Sequence, residues 1–191
     1  MAIEQAKAYI GIDIGLMGAI VVHIPGSVIS VFDMPIKKLP VLDKKGRPVK
    51  KKKETIYDIP KIIVIFRNLV SENCTVFIEK AQILPKGFTI KGNIGVARCQ
   101  ALFEGILSTL GLKYEIINPR IWQLYFGIET EKDDKGTVIK NTKEQSVEKC
   151  KTMFPGIILE TEKGRKLDGR ADAALICYYG MRTHEGEIGG I

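Results

Sequence analysis

The chain has 191 residues, is 45% hydrophobic and 27% charged, and carries 29 Lys and Arg against 22 Asp and Glu, a formal charge of +7. That length favours a single domain with a sizeable core, and the composition excludes a disordered or fibrous chain. Two histidines (His23, His184) and four widely spaced cysteines (Cys74, Cys99, Cys150, Cys177) leave histidine-rich metal sites, zinc pairs and most Ser-His or Cys-His nucleophiles without raw material.

The start, Met1-Ala-Ile-Glu-Gln-Ala-Lys, lacks the basic-then-apolar layout of a signal peptide. The best candidate for a spanning segment, Ile10 to Ile24, is interrupted by Asp13 and His23, so no membrane association is expected. The sequence thus predicts a cytoplasmic protein whose cysteines are small, reduced, buried hydrophobes.

In chain order, Ala8 to Ile14 alternates and is rich in branched residues, which predicts a strand. The turn Gly15 to Gly18 leads to a second strand, Ala19 to Ile24. Pro25-Gly26 leads to a third, Val28 to Phe32, completing an antiparallel meander. The next segment, Lys37 to Lys53, holds nine basic residues and one acid, a local charge of +8 that leaves the rest of the chain at −1. Its prolines and its glycine (Pro40, Gly46, Pro48) predict a loop or loose hairpin. Such a run is either a solvated surface or a site that neutralises phosphates, and its length favours phosphates.

Apolar residues recur at helical spacing from Ile56 to Leu69, followed by a short apolar strand, Thr75 to Ile78, that ends at Glu79. A loop from Lys80 to Gly92 precedes a long helix capped by Asn93 and stopped at Leu110-Gly111. Tyr114 to Ile117 predicts a fifth strand, and Asn118-Pro119 starts a short helix holding Trp122. Glu129 to Asn141 is charged and irregular, and helices are expected at Thr142 to Phe154 and Leu167 to Arg182. Three antiparallel strands followed by alternating helix and strand make a mixed α/β sheet flanked by helices, one domain over residues 1–191 with a basic loop at 37–53.

Acids stand where a core would exclude them. Asp13 closes the first strand and Glu79 the fourth, while Asp168 and Asp172 lie one turn apart on one face of the last helix. Each has an ordinary explanation: a turn aspartate before glycine, a strand-end surface acid, a helix cap for Asp168. Asp172, inside the apolar stretch ADAALI, is harder to dismiss. If the ends of the two strands face the last helix, the four carboxylates converge, and each pair at ~4 Å repels by about 4 kcal/mol at an effective dielectric of about 20. Divalent cations remove that cost. An all-oxygen site suits Mg²⁺, with Mn²⁺ substituting, and two such ions serve phosphoryl transfer.

Three segments, Ile10-Gly-Ile-Asp13-Ile-Gly-Leu-Met-Gly-Ala, Phe77-Ile-Glu79-Lys-Ala-Gln and Asp168-Gly-Arg-Ala-Asp172-Ala-Ala-Leu, in this order, resemble the RuvC-type Holliday junction resolvases, closest to their bacteriophage and plastid-like branch. The resemblance spans Ala8 to Arg182. It implies an RNase H-like fold, a homodimer, and symmetric paired nicks in four-way DNA junctions that leave 5′-phosphate and 3′-hydroxyl ends. It also implies two Mg²⁺ ions on Asp13, Glu79, Asp168 and Asp172, no small-molecule cofactor, and a cytoplasmic place of action, which for a phage-encoded member is the host's.

By the same carry-over, Asp168 is a fourth ligand or a cap, since bacterial relatives separate their last two acids by two residues and three lie between them here. Gln82 takes the position of the family's junction-wedging aromatic, with Phe88 and Ile83 as substitutes. Lys143, Arg120 and Lys80 are candidates for the family's catalytic lysines, and Lys143 joins the catalytic set. DNA contacts are expected from Lys44, Lys45, Arg47, Lys50, Lys51, Lys52, Lys53, Lys80, Gln82, Lys86 and Arg120. The Asn93 to Leu110 helix is either the dimer helix or packed on its own sheet. Competing functions are another RNase H-like nuclease, acting on flaps, hybrids or transposon ends, and a catalytically silent branched-DNA-binding module. A sugar-kinase or actin-like ATPase needs two such domains, and the chain is too short for both.

Overall fold

The computed structural model describes residues 7–69, 73–82, 89–132 and 138–188. Strands β1 (Ala8–Ile12), β2 (Ala19–His23) and β3 (Ser30–Asp33) form the expected meander. A separate hairpin follows, β4 (Ile36–Leu42) and β5 (Pro48–Tyr57). Helix α1 (Ile59–Leu69) returns the chain to β6 (Cys74–Glu79), parallel to β1, and α2 (Ile90–Thr109) leads to β7 (Lys113–Ile117), parallel to β6. After α3 (Pro119–Tyr125), the short pair β8 (Glu131–Lys132) and β9 (Val138–Lys140) precedes α4 (Thr142–Met153) and α5 (Asp168–His184). The main sheet runs β3-β2-β1-β6-β7.

Because side chains alternate across a strand, the central strands are apolar on both faces. Ile10 and Ile12 of β1, Ile20 and Val22 of β2, and Val76 and Ile78 of β6 pack on one face with Ile62 and Phe66 of α1 and Phe103 and Leu107 of α2. Tyr9, Ala19, Val21 and Phe77 point to the other face, where α5 lies with Trp122 of α3 and Val147 and Cys150 of α4. Gly11 sets the spacing of that layer: a Cβ there would stand 2.2 Å from the carbonyl oxygen of Ala173 and 2.5 Å from the Cys177 nitrogen. Only a residue without a side chain lets α5 lie directly on β1.

Several sequence expectations are corrected. Of the two forms expected for the basic segment 37–53, the loop is set aside and the hairpin is found, paired in register from Ile36↔Tyr57 to Leu42↔Pro48. A two-stranded ribbon has only edges, and proline is tolerated on an edge strand, so Pro40 and Pro48 do not break it. Helix α1 begins at Ile59, because β5 continues through Tyr57. Helix α2 is capped by Thr89, whose hydroxyl accepts from the Gly92 amide at 3.1 Å, so Asn93 lies inside the helix. The irregular stretch 129–141 contains the β8–β9 pair. Asp168 does not cap α5: Leu167 occupies that position without a side-chain bond, and Asp168 is the first helical residue.

Candidate active site

Register alone brings two acids together. Ile12 of β1 pairs in parallel with Ile78 of β6, so the residues that follow, Asp13 and Glu79, leave the sheet side by side at the carboxyl ends of neighbouring strands. Asp13 is fixed locally, its Oδ1 accepting from the Gly15 amide at 2.9 Å. The first turn of α5 then closes on this strand end. A Cβ on Gly169 would meet the Met17 carbonyl oxygen at 2.3 Å and Asp13 Oδ2 at 3.0 Å. That close approach carries Asp168 and Asp172 to the same edge.

The neighbouring helices complete the arrangement. Lys143, at the start of α4, places Nζ 2.6 Å from Asp168 Oδ2. One turn on, the buried Ser146 lies beside Asp172 and favours its ionised form. The fully buried Trp122 of α3 donates Nε1–H to Glu79 Oε1 at 3.1 Å. On the far side of α5, Arg170 grips the end of β3, its Nε and Nη2 donating to the two oxygens of Asp33 at 2.6 and 2.8 Å and its Nη1 to the Ile158 carbonyl at 2.9 Å.

Packing drives the titration of these acids upward. Burial, reinforced by the charges of Asp13 and Asp172, pushes Glu79 up to about 8, against the opposing pull of the Trp122 hydrogen bond. Burial and the Asp13 charge push Asp172 to about 7, with the neighbouring Ser146 opposing. Asp13 is raised by burial and, less strongly, by Asp168, while the Gly15 amide and Lys143 lower it. Lys143 is raised by its bond to Asp168. Near neutral pH Glu79 and Asp172 therefore hold on to protons unless another positive charge enters.

As arranged, no three His, Cys, Asp or Glu side chains among the described residues stand close enough to hold a metal ion. The chemistry of the donors nevertheless fits a hard divalent cation. All are carboxylates, their mutual repulsion is uncompensated apart from Lys143, and Asp172 Oδ1 is buried without a hydrogen-bond partner. Asp13, Glu79 and Asp172 are the residues that would hold the ion. Asp168 sits at the rim, engaged by Lys143.

The other expected residues fall elsewhere. Lys44, Lys45, Arg47 and Lys50 to Lys53 lie on the exposed β4–β5 hairpin, Arg47 paired with Asp43 at 3.1 Å. Lys80 and Gln82 are exposed just past Glu79, and Arg120 is exposed at the start of α3. Lys86, Phe88 and Ile83 lie outside the described residues. Sequence reasoning assigned no role to Trp122, Ser146 or Arg170. The i, i+3 spacing of Lys143 and Ser146 could have flagged Ser146, whereas no local signal points an indole at Glu79.

Two solved structures share the architecture. Thermus thermophilus RuvC in complex with a Holliday junction substrate matches at 8% identity and a TM-score of 0.52, over 94% of this chain and 96% of that one. A second Thermus thermophilus RuvC structure matches at 10% identity and a TM-score of 0.51, over 94% and 97%. The fold is that of RuvC. No family model and no curated protein matches the sequence. In this RuvC fold the acids gather where the parallel strands β1 and β6 end and α5 begins, the edge where α/β sheets commonly carry their sites.

Proposed function

We propose that the protein is a divalent-metal-dependent endonuclease that resolves four-way DNA junctions by paired symmetric nicks, leaving 5′-phosphate and 3′-hydroxyl ends. The observation that carries the reading is the gathering of Asp13, Glu79 and Asp172, from three separate elements of a RuvC fold, around a buried and unpartnered Asp172 Oδ1. A cluster of buried carboxylates whose mutual repulsion is met by a single cation at its rim is a poor structural device and a good cation site.

Bound Mg²⁺ or Mn²⁺, as a pair, supplies Lewis acidity toward the scissile phosphate and toward the attacking water. The chain's own groups do the rest. Asp13, Glu79 and Asp172 provide the anionic oxygens, Trp122 fixes the rotamer of Glu79, and Lys143 holds a positive charge at the rim where a phosphate oxygen can replace Asp168 as its partner. Two nicks on one junction require two sites, hence a homodimer. The amino-terminal half of α2 offers a surface for it, with Ile90 81% and Ile94 54% exposed and open space over Gly95.

The test is incubation of the purified protein with a labelled synthetic four-way junction and Mg²⁺, beside linear duplex, a flap and an RNA–DNA hybrid. Symmetric, ligatable nicks confined to the junction, and absent from Asp13→Asn and Asp172→Asn, support the reading. Junction cutting that survives both substitutions overturns the site. Metal-independent binding without any cutting favours the silent binding module.

A further inference from the structure

The β4–β5 hairpin (Ile36–Leu42, Pro48–Tyr57) is paired within itself, and its strands contact little else in the molecule. Isolated two-stranded hairpins are marginal in water, and this one carries nine basic side chains that repel one another. Its one acid in the 37–53 segment is already engaged. Asp43 accepts from the Lys45 and Arg47 amides at 2.8 and 2.9 Å and pairs with the Arg47 guanidinium. None of the other eight basic side chains has an ion-pair partner among the described residues.

The register shows how the charge is presented. Pro40 pairs with Lys53 and Leu42 with Pro48. Four residues, Val49 to Lys52, therefore face the single Val41, an excess of three on β5. At the centre of this bulge Lys51 adopts a left-handed backbone, φ 62°, the one such non-glycine residue among those described. A left-handed lysine costs energy that nothing in the hairpin's own packing returns. Its geometric effect is to end the strict alternation of the strand, so Lys50, Lys51 and Lys52 fan from one knuckle. The root of the arm is fixed relative to the acids, since the Tyr57 hydroxyl donates to the carbonyl of Ile14, the residue after Asp13.

We infer that this bulged arm is a clamp for the phosphate backbone of the DNA, a sequence-blind grip held at a set place beside the strand-end acids. The choice of a four-way junction as the DNA rests on the nuclease reading; the polyanion chemistry of the arm does not. Unpaired lysines on an exposed ribbon can each meet a backbone phosphate, and each contact releases counterions.

The experiment measures binding of a fluorescent four-way junction, and of a linear duplex, against salt in the uncleaving Asp13→Asn background. Replacing Lys50, Lys51, Lys52 and Lys53 with Ser should flatten the slope of log Kd against log salt by about 3.6, since each neutralised phosphate contributes roughly 0.9, and weaken binding on the order of 10³-fold at ~0.1 M salt on both DNAs. Lys51→Asn keeps a residue that tolerates the left-handed backbone and removes one charge, so its slope should fall by about 0.9. The fourfold Arg variant should keep the wild-type slope. An unchanged slope in the fourfold Ser variant, with its thermal unfolding unchanged, overturns the clamp, and is also the result expected if the arm serves an acidic protein. The two readings fail separately: nicking with an unaltered slope sinks only the clamp, and an arm-dependent slope on a protein that cuts nothing sinks only the nuclease.

Discussion

The strand-end acids and the basic hairpin both hold like charges together, but different forces impose the crowding. Asp13, Glu79 and Asp172 are forced into proximity by a packed layer: parallel register fixes the first two, and α5, seated on Gly11 and Gly169, brings the third. The core above and below the sheet offsets their repulsion. In the arm no core is available, and backbone pairing with a bulge does the placing. Geometry that a core imposes should fail abruptly when one member is changed. Geometry spread along an exposed ribbon should fail by increments, one charge at a time.

The largest expected effect tests that distinction directly. Asp13→Asn or Asp172→Asn should lower single-turnover junction cleavage by at least about 10³-fold, while junction binding changes little. Asp168→Asn, at a rim position already satisfied by Lys143, should cost about tenfold less. A single arm lysine that proved as costly to cleavage as Asp172 would erase the contrast between the two regions.

Next in size is the packing that carries α5 to the acids. Gly169→Ala puts a methyl 2.3 Å from the Met17 carbonyl oxygen, which must move. A loss of about 2–3 kcal/mol in unfolding free energy is expected, with cleavage falling further than stability explains. Gly105→Ala, on the open face of α2 where nothing lies within 4 Å, should be neutral or slightly stabilising.

A third prediction concerns pH. With Glu79 raised to about 8 and Asp172 to about 7, the folded, metal-free protein binds protons more tightly than the unfolded chain, whose carboxylates titrate near 4. The stability linked to these groups is fully present below about pH 4 and is lost as pH rises toward 8. Melting in chelator should therefore drop between pH 5.5 and pH 8.5 by several degrees, on the order of 2 kcal/mol. Mg²⁺ should restore it at the upper end by binding the ionised carboxylates. Asp172→Asn should flatten the profile. A profile indifferent to both Mg²⁺ and Asp172→Asn would separate the acids from any cation.

Much of this was legible in the sequence because it is local or periodic. Alternation in Ala8 to Ile12, helical spacing in α1 and the turn signals of the meander each reflect forces acting within a few residues. The four acids could be proposed because carboxylates among apolar residues conflict with their surroundings. For the basic segment the sequence left a loop and a loose hairpin open, because Pro40, Gly46 and Pro48 are turn signals, yet an edge ribbon does not need every amide and pairs around them. Asp168 was offered as a cap because aspartate favours that position, yet its carboxylate is drawn to Lys143 of another helix. Trp122 was invisible as a site residue because its bond to Glu79 spans 43 positions, a distance over which only the finished fold decides.

That bond supplies the smallest and sharpest test. Trp122→Phe removes the indole N–H from Glu79 and leaves an aromatic ring in the same core, where Trp122 stacks edgewise on Phe126 at 6.5 Å. The lost hydrogen bond and the reduced volume should together cost about 1–2 kcal/mol of stability. Without its donor, Glu79 loses a contact that favours the ionised form and fixes the rotamer, so cleavage should fall about 3–10-fold, the Mg²⁺ needed for half-maximal rate should rise, and DNA affinity should hold. Phe126→Leu is the control: it loosens the same aromatic cluster at similar cost to stability but touches no hydrogen bond to an acid. If both variants lower cleavage equally, Trp122 acts only by packing. If Trp122→Phe alone shifts the metal dependence, the order imposed on the acids extends one layer behind them into the core, a support that the arm, with no core behind it, lacks.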